Sequence, residues 1–404
     1  MTIRKLTQAE CKAYDLLSHV CFAFEAEKDY EEKYKEEKAK DWENKIGGFD
    51  ENGKLIAALY IIPYSMNFDG HVVKMGGIQA VVTAPEARGT GVMPKIMTES
   101  LHVMKEQGQI FSLLYPFSSA YYRKFGYETA YQQNCAEIPI ANFGIYPFPK
   151  DSVRFLEKDG DLSDMKKVYD VFKQGRNYAI DRDDIEWQDK KRWDDMMKDD
   201  PYIHRRYSYI NYNSKGKPNA YMISKAGEDS PVRILEIIEL AWSDKAGLYA
   251  MLGFIGGLRP RFDRVHWLRV PQDVDVYSIF AETSNDVKVR NTPSAMTRIV
   301  DLPEVLKRMK PPQGQGRVVI DVVDKSMPCN TGKYAISWKE GALTAEESND
   351  SPDISTSIET LAQLVVGYTT PEEATYRRDT TIHKQTEALN NLFHKKNLYL
   401  WEAF

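Results

Sequence analysis

The fold is decided by residues 77–115, where a strand-like run, a glycine-containing turn and a helical pattern follow one another directly. The run is Gly77-Ile78-Gln79-Ala80-Val81-Val82-Thr83, and the turn is Pro85-Glu86-Ala87-Arg88-Gly89-Thr90-Gly91. Gly108 is placed to end the helix, and residues 110–115 are an apolar run without alternation, as in a buried parallel strand. One helical stripe carries the apolar side chains of Met93, Ile96, Met97, Leu101 and Met104. The stretch therefore predicts an α/β unit with a glycine turn between a strand and a helix.

The residues before this unit predict a hairpin and, further upstream, a helix. Asp69-Gly70 separates two apolar runs, 54–68 and 71–75, and favours a two-residue hairpin turn, since both central positions of that turn need positive φ. Thr7-Gln8-Ala9-Glu10 has the spacing of a helix capping box. Most residues from 25 to 45 are charged, which is typical of a solvated helix face; the functional alternative is a set of carboxylates lining a pocket for cations.

The chain after residue 150 repeats this order of elements. A charge-rich helical part, 163–198, precedes hairpin-like strands at 207–212 and 219–224. A strand at 234–241, an apolar helix at 245–258 and a strand at 265–270 follow. The repetition concerns the pattern and not the sequence, so duplication of the fold and coincidence both stay open.

A third segment begins near Asn291. The patterns predict strands at 317–323 and 333–338, a short connection at 340–343, and a terminal strand at 397–404. Helices are predicted at 357–366, from Thr370-Pro371 onward and at 387–393.

Composition excludes several classes of protein. The 404 residues are 42% hydrophobic and 28% charged with a net charge of −5, as in an ordinary globular protein of two or three domains. No apolar stretch is long enough for a membrane helix, and residues 1–10 lack the apolar core of a signal peptide, so we expect a cytoplasmic protein. The 54 basic against 59 acidic residues argue against nucleic-acid binding and permit a cationic substrate. Four separated cysteines indicate a reduced protein, and seven isolated histidines indicate no metal site.

The turn at 85–91 has the chemistry of an anion site. Backbone N–H groups at a helix N-terminus suit a pyrophosphate, glycines let the main chain approach closely, and Arg88 can add a charged contact. An ordinary strand-to-helix loop in which glycine is merely convenient is the alternative. Neither a Walker loop nor a Rossmann fingerprint fits, since no Gly-Lys-Ser/Thr follows and Pro94 occupies the third glycine's place.

Taken with its neighbours, the turn resembles that of the GNAT acetyltransferase superfamily, in which it binds the pyrophosphate of coenzyme A. The later Phe125-Gly126-Tyr127 step matches as well. Tyr122-Arg123-Lys124-Phe125-Gly126-Tyr127, the length and the aromatic last residue, Phe404, resemble the enhanced intracellular survival (Eis) family of GNAT N-acetyltransferases. The resemblance implies an α/β (α+β) chain with a catalytic GNAT domain at 1–148, a degenerate GNAT-like domain at 149–288 and a sterol-carrier-protein-like domain at 289–404. Trp242-Ser243-Asp244-Lys245 stands in place of the second glycine turn, so the second module is expected to bind no coenzyme A.

Two catalytic residues follow from this resemblance. Tyr122 would be the general acid, since a phenol with a pKa of about 10 can protonate a departing thiolate. The α-carboxylate of Phe404 would be the general base, and the apolar residues 397–404 indicate a docked terminus. The alternatives are that Tyr122 only packs in the core and that Phe404 only ends an edge strand.

The resemblance also implies the residues that hold acetyl-CoA, which would act as a cosubstrate without a metal. The strand edge at Val81, Val82 and Thr83 would face the pantetheine arm, and Phe117 and Ser118 would touch the cofactor again. The pyrophosphate turn would comprise Arg88, Gly89, Thr90, Gly91, Val92, Met93 and Pro94. Two features depart from the family's turn: Met93 stands at the position of a small residue, and Pro94 has no N–H to donate.

For the acceptor, the resemblance implies aminoglycosides, lysine side chains or polyamines, and it implies a homo-oligomer, with hexamers as the family's arrangement. Cation-attracting groups could be Glu25, Glu27, Asp29 and Glu402, each of which could equally be solvated surface. Two other functions stay open. One is transfer of a larger acyl or aminoacyl group, and the other is lipid carriage by the sterol-carrier-like segment.

Overall fold

The structure is a computed structural model that describes residues 1–22, 41–157, 160–183, 187, 206–227, 231–283, 286–402 and 404. These residues form two compact units. Unit 1 contains residues 1–131, 294–395 and 402–404, and unit 2 contains residues 132–293 and 396–401.

The strands and helices are as follows. The strands are β1 (Thr2–Lys5), β2 (Lys45–Phe49), β3 (Leu55–Phe68), β4 (His71–Thr83), β5 (Phe111–Leu114), β6 (Glu128–Thr129), β7 (Gln132–Pro139), β8 (Val153–Phe155), β9 (Arg176–Asn177), β10 (Tyr207–Tyr212), β11 (Pro218–Ala226), β12 (Ile234–Trp242), β13 (Arg264–Val270), β14 (Lys288–Pro293), β15 (Met296–Ile299), β16 (Gln315–Val323), β17 (Gly332–Lys339), β18 (Ala342–Glu347), β19 (Ile354–Ser357), β20 (Thr381–Ile382) and β21 (Asn397–Leu398). The helices are α1 (Cys11–Phe22), α2 (Val92–Glu106), α3 (Ser119–Arg123), α4 (Ser163–Phe172), α5 (Lys245–Gly257), α6 (Val276–Ile279), α7 (Leu302–Lys307), α8 (Ile358–Val366), α9 (Pro371–Ala374) and α10 (Glu387–Leu392).

The first sheet of unit 1 has the order β1-β2-β3-β4-β5-β15-β6. β4 and β5 are parallel because helix α2 crosses over between them, whereas the other neighbours are antiparallel. Strand β15, from much later in the chain, lies between β5 and β6. The apolar stripe of α2 packs against β2 and β3, and it buries Ile96, Met97, Leu101 and Met104 completely. This packing fixes the turn before α2 at one edge of the sheet.

The predicted hairpin and capping box are confirmed. Asp69 (φ 51°) and Gly70 (φ 86°) turn β3 into β4, and the Glu10 carboxylate accepts a hydrogen bond from the Thr7 N–H at 2.8 Å. Gly108 (φ 74°) follows the end of α2, as its position predicts.

The second sheet of unit 1 has the order β18-β17-β16-β19-β20. A parallel pair, β16 and β19, forms its centre, and helix α8, buried except at Glu359, packs against these strands and against β15 and β6 of the first sheet. The buried Arg298 guanidinium of β15 lies 2.6 Å from the carboxylate of Asp324, which also accepts a hydrogen bond from Asn330. Charge pairing thus holds β15 to the loop after β16.

Unit 2 contains the sheet β14-β7-β13-β12-β11-β10-β8, and the apolar helix α5 covers it. β12 and β13 are parallel, with α5 as their crossover. The order of elements therefore repeats that of unit 1. Residues 396–401 belong to this unit, where β21 pairs with β9 and the Tyr399 hydroxyl donates to Glu239.

Three local predictions are wrong. The helix from residue 163 ends at Phe172, because Gly175 (φ 71°) turns the chain into strand β9; residues 184–186 and 188–198 lie outside the described residues. The connection at 340–343 is a tight hairpin turn at Glu340 and Gly341, both with positive φ, from which β18 begins at once. The terminal strand spans only Asn397–Leu398. None of the helices in the described part of the chain combines the length and apolar character that crossing a membrane requires.

Candidate active site

Strands β4 and β5 run side by side for only four residues. Their pairs extend from Met75–Phe111 to Ile78–Leu114, and no pair follows. Beyond them β4 has a bulge toward β3: Tyr60 pairs with Gln79 and Ala58 with Val82, so Ala80 and Val81 lie opposite Leu59. Ala80 has φ 49°, which is uncommon for a residue with a side chain. Since a bulge bends its strand, β4 parts from β5 at this position.

The last residues of β4 therefore have a strand neighbour on one side only. Val82 and Thr83 pair with β3, and in the described part of the chain no strand lies along their other edge. Val82 is buried, while Val81 and Thr83 are half-buried. An extended ligand with amide groups could hydrogen-bond to such an edge as an added strand does.

The glycine turn lies directly after this edge and is open. Gly89 (φ 80°) and Gly91 (φ 77°) both adopt the left-handed conformation, and a Cβ on either would meet nothing within 4 Å. The Thr90 hydroxyl donates to the Ala87 carbonyl at 2.7 Å, which keeps the turn closed on its inner side. Helix α2 begins immediately after Gly91, so its first N–H groups point into the open space. This combination can bind an anion such as a pyrophosphate.

The side chains of the turn divide into an exposed and a buried set. Arg88 is exposed and forms no ion pair or hydrogen bond with any residue that the structure describes, so its guanidinium is available to an anion. Val92 and Met93 point into the core, at 2% and 6% exposure. The Met93 side chain, which stands where the family pattern has a small residue, therefore lies on the core side of the helix and not on the open side of the turn. Pro94 is exposed and offers no donor.

Tyr122 lies in the short helix α3 and is only 3% exposed. Its ring packs against those of Phe117 (5.3 Å), Tyr121 (5.3 Å) and Tyr127 (6.2 Å). Within the described ranges, no group hydrogen-bonds to its hydroxyl. Burial, followed by the neighbouring Tyr127 and Tyr121 phenols, raises the pKa of Tyr122 well above its usual value. The phenol therefore keeps its proton at neutral pH and can donate it.

Phe117 and Ser118 connect β5 to α3. Ser118 is the N-cap of α3, and its hydroxyl accepts from the Tyr121 N–H at 3.4 Å. Phe117 is 74% exposed and packs against the rings of Tyr121 and Tyr122, so a large apolar ring lies exposed beside the buried phenol. Its exposure leaves it accessible to a ligand.

The turn after α3 is fixed by buried charge. Gly126 has φ 80°, and a Cβ there would lie 2.8 Å from Cζ of Arg298. Arg123, next to Tyr122, donates two hydrogen bonds to the buried Glu128 carboxylate (2.8 and 2.9 Å), to which Arg377 is also paired at 2.8 Å. Burial alone would raise the pKa of Glu128, but the arginines and the Thr129 N–H outweigh it and lower the pKa. These contacts hold the C-terminal end of α3.

The terminal residue is docked in unit 1. The Phe404 ring lies 5.1 Å from that of Tyr115 and 5.6 Å from that of Tyr64. The Tyr115 hydroxyl donates to the Glu402 carbonyl at 2.6 Å. Gly77, which pairs with Leu113 next to the point where β4 and β5 part, lies directly under the Phe404 ring.

Tyr122 and Phe404 thus lie at the same end of β5. Tyr115 follows β5 immediately and contacts Phe404, and Phe117, two residues later, contacts Tyr122. Sequence reasoning did not predict Tyr64, Gly77, Ala80 or Tyr115 as residues of the site. Among them only Gly77, a glycine inside a strand pattern, carries a sequence signal, that of close backbone approach. Glu402 is buried beside this site, whereas Glu25, Glu27 and Asp29 lie outside the described residues.

The corresponding position in unit 2 is different. Asp244 caps helix α5, and its carboxylate accepts from the Gly247 N–H at 2.7 Å and from the Asn219 amide at 3.1 Å. A carboxylate already accepts from one of the N–H donors at this helix N-terminus and would repel a phosphate.

Comparisons with known proteins assign these parts. Family models for an acetyltransferase (GNAT) domain match residues 2–130 and 179–299, and a model for a sterol carrier protein domain matches residues 302–401. No curated protein sequence matches the chain.

Solved structures with the same fold span the whole chain. A GCN5-related N-acetyltransferase from Anabaena variabilis ATCC 29413 is 23% identical with a TM-score of 0.86, and each chain covers 100% of the other. A probable N-acyltransferase of unknown function from Enterococcus faecalis V583 is 23% identical over 100% of this chain and 99% of its own, with a TM-score of 0.83. Eis1 from Mycobacterium abscessus is 16% identical, with a TM-score of 0.82 and full coverage of both chains.

The chain therefore consists of two GNAT domains and a sterol-carrier-protein-like domain, and it is an acyltransferase. The predicted fold class is confirmed, and so is the resemblance to the Eis proteins in their fold.

Proposed function

We propose that this acyltransferase moves the acetyl group of acetyl-CoA to a primary amine, with Tyr122 as general acid and the α-carboxylate of Phe404 as general base. The observation that carries the proposal is the parting of β4 and β5. It leaves an open strand edge that leads from the glycine turn to the end of β5, where Tyr122 and Phe404 lie.

The residues from the glycine turn along the edge of β4 to the end of β5 fit coenzyme A. The open Gly89–Gly91 turn and the free Arg88 guanidinium suit a pyrophosphate. Among the residues that the structure describes, the edge at Val81–Thr83 has no strand neighbour, and its Thr83 carbonyl accepts only from the Cys21 thiol (3.4 Å). This edge suits the amides of a pantetheine arm, and the exposed Phe117 ring and Ser118 come next along the chain. Bound there, acetyl-CoA would supply an activated acetyl group and a thiolate leaving group.

The chemistry then requires two proton transfers. A primary amine has a pKa near ~10.4 and must lose a proton to become a nucleophile. An α-carboxylate, ionised above pH ~4, can accept that proton directly or through water. Tyr122 then gives its proton to the leaving sulfur. Its raised pKa keeps this proton on the phenol until the thiolate departs.

The acceptor that we propose is a small-molecule or lysine amine of the aminoglycoside, lysine or polyamine kind. The net charge of −5 and the buried Glu402 carboxylate beside the terminus favour a cation. We further propose a cytoplasmic homo-oligomer, of which a hexamer is the form to test by light scattering. A reducing compartment suits Cys11, Cys21, Cys135 and Cys329, which form no disulfide in the described part of the chain.

The test is an amine panel assayed for thiol release from acetyl-CoA. Aminoglycosides, polyamines and a lysine peptide should accelerate thiol release. Mass spectrometry should show that each acetyl group adds about 42 Da, the mass of C₂H₂O, to the amine. A variant with two residues appended after Phe404 should lose nearly all turnover while it retains its unfolding midpoint. Equal turnover in the extended variant would refute the carboxylate base, and no acceleration by any amine would refute the function.

A further inference from the structure

The end of the chain is fixed by a hydrogen bond from a residue 287 positions earlier. The Tyr115 hydroxyl donates to the backbone carbonyl of Glu402 at 2.6 Å, a short bond for a neutral phenol. The ring of the same tyrosine lies 5.1 Å from the Phe404 ring at a 48° angle. One side chain therefore holds the terminal residues by their backbone and by their last ring.

A glycine completes the seat of the terminal ring. A Cβ on Gly77 would lie 3.0 Å from Cγ and 3.2 Å from Cδ2 of Phe404, closer than packed carbon atoms normally approach. The Phe404 ring thus lies on the bare backbone of β4, with the Tyr64 ring 5.6 Å away. Glycine is favoured here by close approach and not by φ: a Cβ would also lie 3.1 Å from Cε2 of Tyr64, and the two rings would have to give by a few tenths of an ångström.

A chain terminus needs such a seat if it is to hold a proton acceptor. After Leu398 the Tyr399 N–H still donates to the Asn177 carbonyl at 3.0 Å, and beyond Tyr399 the described residues form no helix or strand. Free termini fray unless tertiary contacts hold them. A displacement of about 1 Å at a reacting group can cost on the order of a hundredfold in rate.

We propose that Tyr115 is a positioning residue that, together with Gly77, seats Phe404 and thereby aligns its α-carboxylate with the amine. The inference rests on the proposed function for its catalytic consequence, whereas the seating itself can be measured without activity. Tyr115 does not take part in the proton transfers; it acts through the Glu402 carbonyl and the Phe404 ring.

The first experiment measures seating directly. Carboxypeptidase A, which removes C-terminal aromatic residues, is added to the native full-length enzyme, and release of Phe404 is followed by mass spectrometry. Tyr115→Phe keeps the ring and removes one hydrogen bond, so release should be about three to ten times faster than in the wild type. Gly77→Ala should accelerate it further, because the added methyl group displaces the ring.

The matched control is Tyr334→Phe. The Tyr334 hydroxyl also donates to a backbone carbonyl in unit 1, that of Asn330 at 3.3 Å, away from the terminus. This variant should release Phe404 at the wild-type rate. Equal release rates in Tyr115→Phe and the wild type would overturn the seating, as would equal acceleration in Tyr334→Phe.

The second experiment links seating to catalysis by a double-mutant cycle. With a panel amine, Tyr115→Phe should lower kcat about tenfold and leave the KM for acetyl-CoA unchanged. In an enzyme that lacks Phe404, the same substitution should have no further effect, because the group it positions is gone.

The outcomes separate the inference from the proposed function. A full additional loss on Tyr115→Phe in the shortened enzyme, or an unchanged kcat despite faster release of Phe404, would overturn the positioning role alone. A shortened enzyme as active as the wild type, or a wild type that acetylates no amine, would refute the proposed function first.

Discussion

Replacing Tyr122 with phenylalanine should separate catalysis from stability, because the structure gives the hydroxyl no partner among the described residues. The ring keeps its contacts with Phe117, Tyr121 and Tyr127. Since no hydrogen bond is lost, the free energy of unfolding should change by less than about 0.5 kcal/mol, below the ~1 kcal/mol of a typical hydrogen bond.

The rate should fall far more than the stability. A general acid contributes about 10²–10⁴-fold, and each tenfold loss corresponds to about 1.4 kcal/mol of barrier. We therefore expect kcat to drop by a factor that corresponds to roughly 3–5 kcal/mol, with little change in the KM for acetyl-CoA. Thiol release with a panel amine measures the rate, and urea unfolding measures the stability.

The pH dependence gives a second, independent check. Burial raises the pKa of Tyr122 above that of a free phenol, so the side chain is protonated at pH 7 and still protonated at pH 9. The ratio of wild-type to Tyr122→Phe turnover should therefore be constant between these two values. A ratio that approaches one at pH 9 would mean that Tyr122 ionises there and would refute the argument.

Tyr121→Phe is the matched control for this substitution. Tyr121 is the neighbouring phenol of the same helix and is only half-buried. Its variant should retain turnover within about threefold of the wild type. If the two variants lost activity equally, packing of the aromatic cluster, and not proton donation, would be the cause. Wild-type turnover in Tyr122→Phe would exclude Tyr122 as the acid.

Three further predictions concern the surroundings of the site. Gly91→Ala places a methyl group in the open side of the turn at φ 77°. The dissociation constant for acetyl-CoA, measured by calorimetry, should rise about tenfold, and the free energy of unfolding should fall by ~1 kcal/mol. An unchanged dissociation constant would contradict the anion site. Glu128→Gln should lower the free energy of unfolding in urea by about 2 kcal/mol at pH 7. Because the pKa of Glu128 is lowered in the folded protein, the stabilisation by its carboxylate is present above pH ~4.5 and is lost as the pH falls through the folded-state pKa. The difference in stability between the wild type and this variant should therefore narrow at pH 3–4. Gly126→Ala combines φ 80° with a clash on the buried Arg298 and should lower stability by about 2–3 kcal/mol, whereas a wild-type midpoint would contradict the geometry.

Local signals in the sequence were sufficient for the elements that carry the cofactor path. The turn at 85–91 and the hairpin at Asp69-Gly70 depend on glycines whose φ values only few residues adopt, so their residue types reveal them. The apolar stripe of α2 likewise follows from its 3.6-residue period. The terminal strand was mispredicted because the described residues beyond Leu398 form no strand, and the side chains of Tyr399 and Phe404 are apolar in order to pack.

The remaining features of the site depend on contacts between distant residues. The bulge of β4 gives Ala80 a positive φ that nothing in the residue type announces. Strand β15 enters the first sheet some 180 residues after β5, and periodicity contains no information about the neighbours of a strand. Tyr115 is one of 24 tyrosines, and only the folded chain shows that it holds the terminus.

These long-range contacts make the proposed catalytic site a product of distant segments of unit 1. β5, whose end carries Tyr115 and leads to Tyr122, is flanked on one side by β4 and on the other by β15, so residues 294–299 complete the sheet on which the site is built. The later residues of unit 1 also supply Arg298, which fills the space that Gly126 leaves beside α3, and Arg377, which pairs with the Glu128 carboxylate. They also include Phe404. The later residues of unit 1, 294–395 and 402–404, therefore provide a sheet strand, the buried Arg298, the half-buried Arg377 and the proposed base.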